Sequence, residues 1–246
     1  MFKEFKIIVP SYNTPQWICK CLKSIKIQNN KNYKVCIIDD FSDTDESRNL
    51  ILKYCRENNW EHIFNTERKY ALYNIQKGIE HLNCDDDDVI VLLDGDDWFF
   101  DYEVLDKLAE NYKDDIYLTY GQYISSAGTD TSLGYTFMPN ESIIKNKLYR
   151  KIPWLFTHLK TFKYKLFKEI NPQHFLDKDG CYFKIAGDLA IMFPIAEMSG
   201  GKFKCIDDLL YIYNIDNEIS DFRIARDEQI RVDLFIREFP VYLTIV

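Results

Sequence analysis

Apolar and polar positions along the first half of the chain fall into short blocks, and the period of each block predicts its element. Residues 5–10, Phe-Lys-Ile-Ile-Val-Pro, form a short buried strand. Pro15 opens a helix whose apolar positions, Trp17, Ile18, Cys21, Leu22 and Ile25, recur at helical spacing. Residues 33–38 read as a second strand that stops abruptly at Asp39 and Asp40. Asp43, with Glu46 three places later, reads as the cap of a second helix running to about Asn58. Residues 61–64 give a third short strand and 70–82 a third helix. Residues 89–93 are apolar on both faces, the mark of a central strand in a covered parallel sheet. That strand runs directly into Asp94, Gly95, Asp96 and Asp97. Strand and helix alternating in this way, with right-handed crossovers, predict a doubly wound, Rossmann-like α/β sheet.

Beyond about residue 125 the pattern loosens. Residues 154–167 mix aromatic and basic side chains. Residues 188–198 read as a helix, followed by Gly200 and Gly201, two strands at 202–206 and 210–215, and an amphipathic helix over 226–239. No repeat or low-complexity linker divides the chain, so the expected organisation is two halves of one domain, 1–125 and 126–246. Its 246 residues fit one large domain that needs neither disulfides nor a structural metal to fold.

Composition narrows the function classes. Apolar residues at 46% and charged residues at 28% exclude a disordered chain. No apolar run approaches the ~18 residues of a transmembrane helix, and a first strand opening near residue 5 leaves no room for a signal peptide. The net charge of −8 argues against a nucleic-acid partner. The seven cysteines are odd in number and scattered, without C-x-x-C, which predicts reduced thiols and a cytoplasmic location.

The sharpest chemical signal is the acidic turn at 94–97. Like charges this close repel, and a divalent cation relieves the repulsion most simply. Oxygen-only ligands point to Mn²⁺ or Mg²⁺, which also bridge phosphates. The turn follows the carboxyl end of a central strand, where open α/β sheets bind ligands. The upstream run at 85–88 precedes the strand and reads as solvated loop. EF-hand spacing fails, because Phe99 and Leu105 stand where that loop needs Gly and Glu. No G-x-G-x-x-G or G-K-[ST] occurs. Asp39 and Asp40, and the segment Pro10-Ser11-Tyr12-Asn13, end neighbouring strands at the same edge, so three strand ends converge on one crevice. Lys69, at the start of the third helix, could meet a phosphate together with the helix N-terminus.

Residues 7–13 (Ile-Ile-Val-Pro-Ser-Tyr-Asn), 37–43 (Ile-Ile-Asp-Asp-Phe-Ser-Asp) and 93–97 (Leu-Asp-Gly-Asp-Asp), in this order and spacing, resemble the family 2 glycosyltransferases of the GT-A fold. The resemblance covers about residues 5–125. It implies transfer, with inversion, of a sugar from a nucleotide-diphospho-sugar donor, a UDP-sugar by default, using Mn²⁺ or Mg²⁺. It implies that Pro10, Tyr12 and Asp40, with Asp39 behind it, hold base and ribose, and that Lys69 meets the base or the phosphates. Asp94, Asp96 and Asp97 would hold ribose and metal, with Asp96 or Asp97 as the principal ligand. The first half would bind the nucleotide sugar and the second the acceptor, a glycan, a protein or a small-molecule hydroxyl. Phe41 stands where the family often has Gly.

In the second half, Ala186-Gly187-Asp188-Leu189 matches the family's acidic residue at a helix start, which implies Asp188 as general base; a helix N-terminus keeps such a carboxylate ionised. Glu197, Asp207 and Asp208 are the other carboxylates of that region. The segment 210–214 with Asn217 and Ser220 resembles the family's closing Tyr-rich strand and Asn/Ser loop. Trp154 and residues 158–161 lie where the acceptor would stack or bind. Two alternatives share parts of this pattern. A sugar-nucleotide nucleotidyltransferase would show a Gly-rich basic loop where Ser11-Tyr12-Asn13-Thr14-Pro15 stands, and a catalytically inactive nucleotide-binding homologue would have lost Asp96 or Asp188.

Overall fold

The computed structural model describes residues 2–127, 136–218 and 225–246; Ser220 lies outside them. The first seven elements follow the predicted order: β1 (Phe5–Ser11), α1 (Ile18–Lys26), β2 (Tyr33–Asp39), α2 (Asp45–Asn58), β3 (Glu61–Phe64), α3 (Tyr70–His81) and β4 (Val89–Leu92). β1 pairs in parallel with β2 and β4, and β2 with β3. Every residue of β1 and β4 is buried, which is why β4 is wholly apolar and β1 is apolar apart from Lys6 and its closing Ser11 rather than alternating. Successive β1 side chains still serve opposite faces. Ile8 packs with Ile38, Leu72 and Ile75 on the α3 side, and Phe5, Ile7 and Val9 pack with Ile18, Leu22 and Ile25 of α1 on the other. α2 begins later than the capping pattern implies. Its N-cap is Thr44, without a side-chain bond, because the Asp43 carboxylate accepts instead from Asn13 Nδ2 at 2.7 Å.

The remaining elements are β5 (Trp98–Phe99), α4 (Val104–Asn111), β6 (Leu118–Ser125), α5 (Glu141–Lys145), β7 (Lys160–Lys163), α6 (Tyr164–Phe167), α7 (Gly187–Met198), β8 (Phe203–Tyr213) and α8 (Arg226–Arg237). The strands form one eight-stranded sheet in the order β3-β2-β1-β4-β7-β6-β8-β5. The parallel winding ends at β4: β7 runs antiparallel to both β4 and β6, β6 is parallel to β8, and β5 is antiparallel to β8. The sheet interleaves elements from both halves of the chain.

Two departures from the sequence pattern have clear causes. β7 is wholly buried although half of it is lysine; the long stems lie in the core while the ammonium groups meet Asp188 and Asp87. The two strands expected at 202–206 and 210–215 are the single strand β8. Its register against β6 shifts around Gln122, so that Ile206 faces Gly121 and Leu209 faces Gln122. The exposed Asp207 and Asp208 occupy the resulting bulge. The 85–88 run stands at the opposite strand ends, but Asp88 is not solvated. It is buried 3.4 Å from Lys6 Nζ and accepts the Asp85 N–H at 2.8 Å. No helix among the described residues is long and apolar enough to cross a membrane.

Candidate active site

At the carboxyl ends of β1, β2 and β4 lies a cavity of about 300 Å³. Pro10, Tyr12 and Asp40 line one side, Asp94, Asp96 and Asp97 the floor, and Asp188 the far wall with Lys160 and His158. The acidic turn passes directly over the end of β1. The Gly95 N–H donates to the Pro10 carbonyl at 2.9 Å, and a Cβ on Gly95 would lie 2.8 Å from the Ser11 Cβ and 3.0 Å from the Pro10 oxygen. Close approach to a neighbouring strand therefore requires glycine here, as the tight turn alone does not.

The three carboxylates are not equivalent. Asp97 is 1% exposed; Tyr211 Oη donates to its Oδ2 at 2.5 Å and the Asn214 N–H to its Oδ1 at 2.7 Å. Both oxygens are thus engaged by protein donors. Burial, then the charges of Asp96 and Asp94, holds Asp97 well above the usual carboxylate range. Asp96 accepts from Asn217 Nδ2 at 2.7 Å and is also raised, mainly by burial. Tyr211 Oη lies 3.4 Å from Asp94 Oδ2. Behind the turn, His158 stacks on Tyr211 with ring centroids 4.4 Å apart. Burial and the neighbouring Lys160 push its imidazole well below its ordinary value, so it is neutral. Among the described residues no three carboxylate, imidazole or thiolate groups already converge as a metal cage. The floor nonetheless fits Mn²⁺ or Mg²⁺. Its donors are oxygens, its negative charge is concentrated, and such ions take their remaining ligands from phosphates and water.

On the nucleotide side, Asp39 is fully buried and accepts from the Ser42 hydroxyl at 2.6 Å, the Ser42 N–H at 3.1 Å and Arg48 Nε at 2.8 Å. It holds the loop and stands behind the cavity wall. Phe41 adopts φ 64°, the left-handed conformation that favours glycine at this position. Asp40 caps α3: its carboxylate accepts the N–H groups of Lys69 and Tyr70 at 2.7 Å each and Asn65 Nδ2 at 2.8 Å. The Lys69 side chain turns away to pair with Glu67. Arg68 lines the cavity instead, its guanidinium 3.7 Å from the centre of the Tyr12 ring and 4.6 Å from that of Tyr70. Two adjacent basic residues offered the choice in the sequence; the handedness of the turn into α3 decides it, and periodicity does not reveal that.

On the far wall, Ala186 at φ 54° precedes α7, and Gly187 fits because a Cβ there would lie 2.7 Å from the Leu72 Cβ. Asp188 accepts the Leu189 N–H at Oδ1 (3.1 Å) and meets Lys160 Nζ at Oδ2 (3.1 Å). Lys160 carried no sequence signal as a partner, since its strand was not recognisable. The other carboxylates of the region do not reach the cavity: Glu197 is buried against Arg150, and Asp207 and Asp208 face solvent. Trp154 is half-buried, packs edge-on to Phe156 and Phe193 against the core cluster, and is not among the residues lining the cavity. A larger open hollow of about 940 Å³ lies at the opposite strand ends, where Lys34 meets Glu4 and the His81 ring lies 3.4 Å from Glu61.

With this geometry in place, comparison with known proteins gives one consistent result. The sequence profile described as Glycosyl transferase family 2 matches residues 6–171, more than half of the chain. A curated relative, the dolichyl N-acetyl-alpha-D-glucosaminyl phosphate 3-beta-D-2,3-diacetamido-2,3-dideoxy-beta-D-glucuronosyltransferase of Methanococcus voltae, is 31% identical over 83 residues, 32% of this chain and 26% of that protein. The crystal structure of S. aureus TarS 1-349 in complex with UDP-GlcNAc superposes with TM-score 0.67 at 17% identity, covering 95% of this chain and 66% of the other. The mannosyltransferase PcManGT from Pyrobaculum calidifontis, in complex with GDP-Man and Mn²⁺, gives TM-score 0.65 at 16% identity, covering 98% and 66%. The chain thus spans about a quarter of the curated relative and about two-thirds of these two solved chains. It shares their mixed α/β GT-A fold, and it belongs to glycosyl transferase family 2.

Proposed function

We propose that the chain transfers a sugar from a nucleotide diphosphate sugar, UDP-linked by default, to a hydroxyl acceptor (a glycan, a protein or a small molecule) with inversion at the anomeric carbon. The observation that carries this reading is that the acidic turn and Asp188 line one cavity. Pro10, Tyr12 and Asp40 would hold base and ribose, with Arg68 rather than Lys69 reaching toward the phosphates. Asp94 and Asp96 would hold Mn²⁺ or Mg²⁺ together with diphosphate oxygens, while Asp97 braces the turn. A bound cation supplies neutralisation of the charge that develops on the leaving diphosphate.

Asp188 takes the proton of the acceptor hydroxyl as that oxygen bonds the anomeric carbon. The anomeric C–O bond breaks on the opposite face, and its electron pair leaves with the nucleoside diphosphate. Neighbours crystallised with UDP-GlcNAc and with GDP-Man and Mn²⁺ support a nucleotide-sugar donor and a divalent metal. The seven unpaired thiols support a reducing, cytoplasmic setting.

The test incubates the protein with UDP- and GDP-sugars and Mn²⁺ and measures released nucleoside diphosphate. Metal-dependent release is the expected result. Release of nucleoside triphosphate on adding pyrophosphate identifies a nucleotidyltransferase instead. Thermal stabilisation by the nucleotide sugars without turnover identifies an inactive binding homologue.

A further inference from the structure

Lys160 is buried, with 9% of its side chain exposed, and its ammonium lies 3.1 Å from Asp188 Oδ2. It projects from β7 opposite Leu92, the last residue of β4, so the strand beside the acidic turn carries the cation that reaches Asp188. The second Asp188 oxygen accepts the Leu189 N–H of its own helix. Each oxygen of the carboxylate therefore has one donor, and its orientation is held from two elements at once. From these contacts we propose that Lys160 is the positioning residue for Asp188, fixing the rotamer in which the carboxylate faces the acceptor.

This rests on Asp188 being the base. The other charged groups lining the cavity with Asp188 and Lys160 are Asp40, Asp94, Asp96 and Asp97, Arg68 from the approach to α3, and Lys184 from the loop before α7; His158 and the uncharged Gln229 line it too. Of these cations only Lys160 pairs with Asp188, and only Lys160 is buried. Lys184 and Arg68 are exposed and lie over the Tyr70 ring instead. An ammonium removed from water needs a carboxylate partner, and a carboxylate beside it is favoured as the anion.

Lys160→Met keeps most of the apolar stem and removes the charge; Lys160→Arg keeps the charge. The first measurement needs no substrate: ¹³C-carboxyl NMR titration of Asp188 in the metal-free protein. The Met variant should move the Asp188 titration up by about one pH unit, the low end of the effect of a neighbouring cation. The Arg variant should leave it near wild type. In turnover with UDP-GlcNAc or GDP-mannose, whichever gives nucleoside diphosphate release, the Met variant should lose kcat by roughly 10- to 10²-fold, within the worth of a positioned base. Its acid limb in kcat/KM should move to higher pH, UDP–Mn²⁺ affinity should stay within about threefold, and Arg should restore most of kcat.

An unmoved Asp188 titration in Lys160→Met overturns the proposal. So does loss of UDP–Mn²⁺ affinity in step with kcat, which would place Lys160 on the donor. Should the Met variant not fold, Lys160→Gln carries the same titration test. An active Asp188→Asn variant overturns the base reading itself. An inactive Asp188→Asn beside a fully active Lys160→Met overturns only the positioning role.

Discussion

On the β1–β2 side of the cavity, carboxylates are held by backbone N–H groups and by neighbours close in sequence. On the β4–β8 side they are held by side chains and backbone more than a hundred residues away. Asp40 accepts from Lys69 and Tyr70, 29 and 30 residues on, at the start of the next helix. Asp97 is braced by Tyr211 and Asn214, 114 and 117 residues on, and Asp96 by Asn217, 121 residues on. The first wall is complete once the parallel units have formed. The second closes only when β8 has docked against β6 and β5. Substitutions on the first wall should therefore cost stability and donor affinity, and those on the second should cost chemistry.

The largest effect expected is at Asp188. Asp188→Asn should lower kcat by roughly 10²- to 10⁴-fold, the usual worth of general base catalysis. UDP–Mn²⁺ affinity, read by fluorescence titration, should stay near wild type. A helix-capping role predicts the reverse, because Asn caps as well as Asp, and a folded, active variant would remove Asp188 from the mechanism. Next comes the floor. Asp96→Asn should abolish Mn²⁺-dependent UDP binding and lower turnover by about 10²-fold or more, since a bound cation supplies several kcal/mol to the transition state. Unchanged turnover in both Asp94→Asn and Asp96→Asn would break the metal reading.

Asp40→Ala sharpens the contrast from the other wall. It leaves the first N–H groups of α3 without their acceptor, so stability should fall by about 1–3 kcal/mol, read by denaturant unfolding. Donor KM should rise about tenfold while kcat changes little, because base and ribose contacts act equally in ground and transition states. A normal KM with a poor kcat would move Asp40 into the chemistry.

The same contrast explains what could be read in advance. β1, β4 and residues 35–39 of β2 are buried on both faces and announce themselves as largely apolar segments, and the carboxylates that follow β4 and end β2 are visible as breaks in them. β7 hides because its lysines bury their stems, and β8 is split in the pattern by the exposed Asp207 and Asp208 of its bulge. Lys160 could not be matched with Asp188 without the first strand, and the Tyr211 brace could not be matched with Asp97 without the second. An aromatic in a basic segment reads equally as a sugar platform or a core residue; Trp154 packs half-buried against Phe156 and Phe193, outside the cavity lining. At the turn into α3, where Tyr70 has φ 66°, Arg68 lines the cavity and Lys69 pairs with Glu67.

The smallest effect expected is a pH dependence confined to the second wall. Asp96 and Asp97 titrate above the ordinary 3.8, both chiefly because they are buried. A carboxyl raised on folding binds protons more readily in the native state. Its contribution to stability is full below the ordinary value and is lost as pH rises through the raised one. Above that point the ionised pair strains the metal-free fold, and a cation offsets the strain. Below it, protons compete with the metal for the same oxygens. Mn²⁺ should therefore raise Tm by a few degrees, the shift that about 1 kcal/mol gives in a domain of this size, and by more at pH ~7.5 than at pH ~5. Asp97→Asn removes the more deeply buried charge, keeps one acceptor oxygen for the Asn214 N–H, and leaves its amide NH2 to donate to the Tyr211 hydroxyl. It should raise the metal-free Tm at neutral pH and flatten the pH dependence. A Mn²⁺ increment that is the same at both pH values in the wild type would show that these carboxylates do not meet the metal, and the contrast between the two walls would then rest on Asp188 alone.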